Sequence, residues 1–345
     1  MLQVENIQGN RQIEGSNYNY TACGLTINSN FALPGFRRTE ANSFLPALQL
    51  SLNCWPKEFN LCLPDTALEP EWYRSPYTDL NGEPFLRGWQ LDQGRFFWLR
   101  YSDGTSFLIE RSGSKIWANW PEELTLENTL AYFSGLILGF VLRLQGKVAL
   151  HASAVGIDGR CVLFVGNSGG GKSTLAAAFA KEGYEVLSDD LVALGQEGDK
   201  FVAYPSFSRI RLWPDSTKAL SLPPTLPRIF PSDDSYDKRY LDITKEGYSF
   251  QEKPLQPAAI FVLGERSQDS SAPYIEKLPV SEGLISLITH TFGNWLLDKE
   301  MRGQEFKVLG RLLQEIRVAR LVSHVDLNKL STLCKIVLEN YRESR

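Results

Sequence analysis

Residues Gly166 to Ser173, GNSGGGKS, carry the spacing G-x-x-x-x-G-K-[ST], and the chemistry that spacing serves is anion binding. Glycines let successive backbone N–H groups turn toward one anion, and a helix starting directly behind them adds its positive end. On this reading Gly166, Asn167, Ser168, Gly169, Gly170 and Gly171 wrap the phosphates of a nucleotide, with Thr174 next in line. Lys172 reaches the outer two phosphates and the Ser173 hydroxyl is offered to Mg²⁺. The flanks agree. CVLFV, immediately before, is an apolar strand, and STLAAAFAKE, immediately after, is a helix-forming run.

Paired acids follow closely. Gly183 closes the helix, and Tyr184–Ser188 reads as the next strand, delivering Asp189 and Asp190 at its C-terminal end. In an open α/β sheet that end faces the ligand crevice. One acid there can hold Mg²⁺ through water, and the other can accept a proton from an attacking hydroxyl. Two aspartates at the start of a loop can also simply cap a turn.

His151 enters by counting. VALHASAV and RCVLFVG flank Gly156-Ile157-Asp158-Gly159. With Asp158-Gly159 as a two-residue hairpin loop, Ile157 faces Arg160 and His151 falls opposite Gly166. A slip of one residue would turn the side chain away. A neutral histidine there can orient or tune a catalytic carboxylate, although a plain buried histidine fits the same letters. Arg209 and Arg211 alternate in SRIRLW, which places both on one face, and Lys238-Arg239 closes a Pro-rich stretch. Cations are needed where charge spreads over a transferring phosphoryl group, so Arg239 joins the nucleotide-binding candidates. His290 and His324 receive no role.

The elements that must position these residues form an α/β layer behind a β-rich first part. Up to about residue 120, YTACGLTINS, ALQLSLNCW, RFFWLRYS, SFLIERSG and SKIWANW read as short strands, with hairpin turns at Tyr101–Thr105 and Arg111–Ser114. Trp89, Phe96, Phe97, Trp98, Trp117 and Trp120 interleave with Arg87, Arg95 and Arg100. That pattern suits a peptide-binding or single-strand-binding face, but the simpler reading is a sheet core with arginines turned outward at alternate positions. At Trp120-Pro121-Glu122 it changes, which predicts a β-rich domain over 1–121 with a part in peptide recognition and a catalytic domain over 122–345. Thr125 caps a predicted helix running to Gln145, stopped by Gly146. Residues 221–237, with four prolines and three aspartates, read as a long surface loop. Helices are expected at 281–298, 304–317 and 326–342, with ARLVSHV as a strand among them.

Composition bounds the partners. A formal charge of -4 over 345 residues gives no basic surface for wholesale binding to nucleic acid or anionic membrane. Residues 129–142 are apolar but shorter than the ~20 residues a membrane span needs. Cys23, Cys54, Cys62, Cys161 and Cys334 are odd in number, scattered and without a CxxC pair, so neither a zinc site nor a disulfide framework is expected. The polar start MLQVENIQGNRQIEG lacks the apolar segment of a signal peptide. A cytoplasmic protein is the expectation, and association into an oligomer stays open.

Over roughly 148–195 the chain resembles the catalytic domain of the HPr kinase/phosphorylase family. That family shares its phosphate-loop arrangement with ATP-dependent phosphoenolpyruvate carboxykinases. The matching run is a His on a strand, a hairpin, GNSGGGKS, a helix ending in Gly and a strand ending in Asp-Asp. The resemblance implies ATP and Mg²⁺ held by Lys172 and Ser173, with Asp189 as the metal-side acid. It also implies Asp190 as the base toward the acceptor hydroxyl, with His151 beside it. The family's second signature, of the Glu-x-Arg-Gly-Leu-Gly type, is absent, and YPSFSRIRLWPDS stands in its place. More loosely, GLTINSNFALPGF, LHASAV and RIRLWPDS resemble HPr-kinase-like proteins encoded with peptide natural-product pathways. Some of those, in lasso-peptide pathways, phosphorylate a serine of the precursor peptide.

Residues and resemblance together predict an ATP-dependent, Mg²⁺-requiring kinase acting on a serine hydroxyl of a peptide or protein. Regulatory GTPases and motor ATPases usually place their acid strand much farther from the phosphate loop. The alternatives are a carboxykinase-like or small-molecule kinase and a regulator that senses ATP without chemistry.

Overall fold

The computed structural model describes residues 17–40, 47–59, 70–231 and 236–343. The polar start at 1–15, Cys62 and residues 232–235 of the Pro-rich segment lie outside the described residues. The chain is mixed α/β with several sheets, and it divides into two compact units. The first comprises Met1–Thr21, Leu25–Pro34 and Arg38–Pro121; the second comprises Ala22–Gly24, Gly35–Arg37 and Glu122–Arg345.

Among the described residues the first part of the chain supplies β1 (Tyr18–Ala22), β2 (Leu25–Ser29), β3 (Arg37–Arg38), β4 (Leu48–Leu52) and β5 (Tyr73–Arg74). It continues with β6 (Leu86–Leu91), β7 (Phe96–Tyr101), β8 (Ser106–Glu110) and β9 (Lys115–Asn119). They join in one sheet of order β3-β1-β2-β4-β9-β8-β7-β6-β5. Period-two alternation drives it. In β4 the three leucines are buried and Gln49 is exposed. Trp89 and Trp98 face each other across β6 and β7 with ring centroids 4.7 Å apart, and both are buried. Arg95 and Arg100 are exposed, and Arg87 pairs with Glu83 at 2.7 Å. Most of the aromatic run is therefore sheet core, with arginines at its solvent side. The hairpins turn at Gly104 (φ 91°) and Gly113 (φ 69°), as the letters required. Strand β6 carried no clear signal because Gly88 interrupts it. A Cβ there would come within 3.0 Å of Leu99.

The second unit opens with a helical run: α1 (Leu126–Tyr132), a π-helical turn (Phe133–Ile137) and α2 (Leu138–Leu144). The Thr125 N–H at its start donates to Asn128 Oδ1 at 3.1 Å, and Gly146, at φ 74°, follows its end. No described helix is long and apolar enough to cross a membrane. The strands that follow are β10 (Val148–Ile157), β11 (Arg160–Val165), β12 (Glu185–Ser188), β13 (Leu191–Glu197) and β14 (Lys200–Tyr204), with α3 (Lys172–Lys181) between β11 and β12. Next come β15 (Arg209–Leu212), α4 (Pro214–Ala219), β16 (Arg239–Asp242), β17 (Pro257–Leu263) and β18 (Tyr274–Lys277). The chain closes with α5 (Val280–Thr289), α6 (Lys299–Glu315), β19 (Arg317–Val322) and α7 (Leu330–Glu343).

Their main sheet runs β14-β13-β10-β11-β17-β19-β18, with β12 also on β10. It is mixed: β11, β17 and β19 are parallel, whereas β10 and its other neighbours are antiparallel. Alternation along β11 splits the core into two layers. Val162 and Phe164 pack with α3 and α7, while Leu163 and Val165 pack with α5 and α6. The two-stranded β15–β16 ribbon stands apart from this sheet, its Ile210 and Leu212 packed in the α3 layer.

One predicted helix is shorter than its pattern. The reading 281–298 gives way to α5, ending at Thr289. There His290 O accepts from His151 N at 2.7 Å and Phe292 N donates to Ala149 O at 2.9 Å. Strand pairing at the edge of β10 outcompetes helical propensity.

Candidate functional site

The counted register holds. Asp158 (φ 49°) and Gly159 (φ 76°) form the two-residue turn, Ile157 faces Arg160, and Ala152 faces Val165. One further step brings His151 level with Gly166, where the chain leaves the sheet. Two glycines of the loop take left-handed backbone, Gly169 at φ 76° and Gly171 at 104°. Gly171 is also the residue from which α3 starts. Gly170 has no room for a side chain, since a Cβ would lie 3.0 Å from Asn167 O.

Lys172 sits in the first turn of α3 and folds back over the loop. Its Nζ donates to Gly166 O at 2.8 Å and to Asn167 O at 2.9 Å. Burial pushes its ammonium down to about 8, against the pull of Asp190 and Asp189. A buried cation held only by loop carbonyls is poised for a stronger anionic partner.

The acids are placed in an unexpected way. Strands β12 and β13 lie end to end along one edge of β10, Ser188 opposite Ala154 and Leu191 opposite His151. Asp189 and Asp190 are the joint between them, so the chain resumes its course after the acids instead of leaving the sheet. The joint is a tight turn: Leu191 N donates to Asp189 O at 2.9 Å across Asp190, whose φ is 69°. Positive φ at a non-glycine residue costs energy and clusters at functional sites.

The turn sends the two carboxylates different ways. Asp189 is 1% exposed, and both oxygens are engaged, Oδ1 by Ser153 Oγ at 2.7 Å and Oδ2 by Arg211 N at 2.9 Å. It stands behind the cavity wall as a brace, so the metal-side role expected of Asp189 is corrected: both its oxygens are spent on the protein and it does not line the cavity. Asp190 reaches the cavity, with Oδ1 3.2 Å from His151 Nε2 and Oδ2 2.8 Å from Arg211 Nη1. Burial works to raise the Asp190 carboxyl, but Arg211, His151 and Lys238 outweigh it and hold it well below the usual carboxylate range.

Arg211 is the centre of this network. Its Nη2 donates to Ala131 O at 3.1 Å and to Ser134 Oγ at 2.5 Å, both in or beside the π-helical turn. Such turns free a backbone carbonyl and recur at functional sites. Gly135 of the same turn lies so close that a Cβ would be 3.4 Å from Asp190 Oδ2.

His151, Lys172, Ser173, Thr174, Ser168, Gly169, Gly171 and Asp190 all line one cavity of about 750 Å³. Arg211 and Lys238 line it too, Lys238 lying 5.6 Å from the ring of Trp213. Arg239, expected at the nucleotide, is turned away and must be corrected. Its guanidinium is used by Asp237 at 2.8 Å and by the carbonyls of Pro224 and Leu226. Neighbouring residues at the start of a strand point oppositely, so Lys238 faces the cavity and Arg239 the Pro-rich segment. Arg209 also serves elsewhere, 3.0 Å from Glu127 and over the ring of Tyr240.

Two residues escaped the sequence reading. Ser153 stands two positions from His151 on β10, so the same counting would have found it. His290 had no signal, because its partner is 123 positions away: its Nε2 lies 3.0 Å from the side-chain oxygen position of Asn167. Its Nδ1 lies 2.6 Å from Ser286 O, an acceptor only, so Nδ1 carries the proton. Burial lowers the His290 pKa, the Ser286 contact opposes this, and Lys172 and His151 lower it further. Neutral His290 therefore accepts at Nε2, which calls for the Asn167 amide to present its N–H.

Among the oxygen donors that line the cavity, the Ser173 hydroxyl at the loop and the Asp190 carboxylate are of the hard type that suits Mg²⁺. Sites that bind this ion through one or two protein groups complete its shell with phosphates and water. Among the described residues no cluster of three or more His, Cys, Asp or Glu side chains forms a self-sufficient metal cage.

No protein-family model matches the sequence, and no curated protein matches it. Among solved structures, the chain has a partial likeness to the Hpr(Ser) kinase/phosphatase from Coxiella burnetii, with 16% identity and a TM-score of 0.30. That likeness covers 56% of this chain and 97% of the other.

Proposed function

We propose that the second unit transfers the γ-phosphate of ATP to a serine hydroxyl of a peptide or protein, with Mg²⁺. One observation carries the reading. The glycine loop with Lys172 and Ser173 shares a single cavity with a strained, ion-paired Asp190 and with His151.

Bound Mg²⁺–ATP supplies the phosphoryl group and neutralises part of its charge. Ser173 and Asp190 are the groups on this cavity that would hold the ion, and the loop N–H groups with Lys172 would hold the phosphates. In the transfer a bond forms between the serine oxygen and the γ-phosphorus while the bond from that phosphorus to the β–γ bridging oxygen breaks. The hydroxyl proton passes to Asp190, and His151 holds that carboxylate in line. Arg211 and Lys238 place two cations where charge accumulates.

The closing test is direct. Full-length protein with ATP and Mg²⁺ should hydrolyse ATP slowly, and a serine-bearing peptide should accelerate ADP release and gain one phosphate by intact mass. Efficient phosphorylation of a free metabolite with peptides inert would favour the small-molecule kinase. ATP binding without turnover on any acceptor would favour the sensor.

A further inference from the structure

The cavity extends past the reacting groups, and its farther wall belongs to none of the machinery above. Arg266 lines it from the segment between β17 and β18, and Val325, Asp326 and Asn328 line it from the turn between β19 and α7. Opposite stand Ser216 and Ala219 of α4.

Three observations fix this slot relative to the loop. A Cβ on Gly171 would lie 3.5 Å from the Arg266 guanidinium, so Arg266 flanks the point where α3 begins. Thr174, in the first turn of α3, shares a 2.7 Å hydroxyl hydrogen bond with Ser216, which ties α4 to the same place. A smaller cavity bounded by Gly170, Gly171, Asp326 and Leu327 joins the β19–α7 turn to those glycines. His151, by contrast, stands on β10 level with Gly166 at the other end of the loop, and Asp190, at the β12–β13 joint, lies 3.2 Å from it. A triphosphate with its terminal phosphorus toward Asp190 must send its other end past Thr174, into the slot.

The chemistry of the slot is that of a small, flat ligand with a polar edge. Val325 is a large apolar side chain left 42% exposed, and the neighbouring Asp326 and Asn328 are exposed as well. An apolar face with a few placed polar groups is how small-molecule sites orient their ligands. Trp213, the cavity's other exposed apolar side chain, is held near Lys238 and follows Arg211 by two positions, at the reacting end.

We infer that the slot between Ser216–Ala219 and Val325–Asn328 receives the nucleoside of the triphosphate, its base against Val325 and its ribose hydroxyls at Asp326 and Asn328. The inference rests on the phosphotransferase reading above, and calorimetry with two probes separates them. ATP carries a nucleoside; inorganic tripolyphosphate carries only the phosphates. With Mg²⁺ present, Val325→Trp, which fills the slot, and Asn328→Ala should each weaken ATP binding by ~10-fold or more. Both should bind tripolyphosphate as the wild type does, and the exposure of both positions keeps the fold intact, checked by thermal melting. The slot assignment falls if both variants bind ATP at wild-type strength. It falls equally if the loss follows Trp213→Ala instead, or if the wild type binds ATP no more tightly than tripolyphosphate. Failure of the wild type to bind either probe overturns the phosphate-loop reading, and this inference with it.

Discussion

Arg211 holds Asp190 across 2.8 Å while its own backbone N–H holds Asp189 at 2.9 Å, so one residue sets both acids of the turn. The grip makes Asp190 an ionised, oriented carboxylate before any substrate arrives.

Asp190→Asn keeps the size and removes proton acceptance. Phosphoryl transfer should fall by ~10²-fold or more, and the Mg²⁺ concentration needed for ATP binding should rise. The same change leaves the buried Arg211 without its counter-charge, which should cost about 3 kcal/mol of folding stability. Single-turnover kinetics and urea unfolding read the transfer and stability effects separately. Native transfer rates in the variant would remove Asp190 from the chemistry.

Lys172→Ala should abolish most ATP binding, because it deletes the cation aimed at the outer phosphates. The lysine also makes binding depend on pH. With its pKa lowered to about 8, Lys172 loses its proton well before an unfolded lysine does. Between those two values the unfolded chain binds more protons, so this group's contribution to stability rises with pH there. Phosphates favour the ammonium, so ATP binding near pH 9 should take up a proton, and near pH 6.5 it should take up none. Calorimetry in two buffers of different ionisation enthalpy measures this directly.

Gly135 offers a graded test of the acid–arginine pair. An added Cβ would sit at contact distance, 3.4 Å from Asp190 Oδ2 and 3.7 Å from Arg211 Nη1. Gly135→Ala should therefore turn over nearly normally. Gly135→Leu should push the pair apart and lose transfer, with tripolyphosphate binding preserved. Equal activity in both variants would separate the π-helical turn from catalysis.

His290→Ala should weaken ATP binding several-fold by releasing Asn167, and His290→Gln, which can still reach the amide, should recover part of it. Equal losses in the two variants would mean that His290 acts on the fold and not on the loop.

The loop and the hairpin register were legible because each rests on local rules: glycine conformations and a two-residue turn. His151 could be counted into place from the Asp158-Gly159 turn alone. What stayed hidden is long-range. Nothing near Arg211 says that its guanidinium will meet a carbonyl 80 positions earlier, and nothing near His290 names Asn167. Asp189 and Asp190 look equivalent as letters, and only the turn with its positive φ at Asp190 divides a brace from a carboxylate that lines the cavity.

Strand β10 is flanked by the loop-bearing β11 on one edge and by the acid-bearing β12–β13 line on the other. The gap between the glycine loop and Asp190 is thereby spanned by two inter-strand spacings of ~4.8 Å each, a ruler made of backbone. The hairpin, α3 and the turn before β12 can change length without altering it. Inserting one residue into β10 between His151 and Ser153 would shift both edges against each other, so that segment should tolerate no change in length.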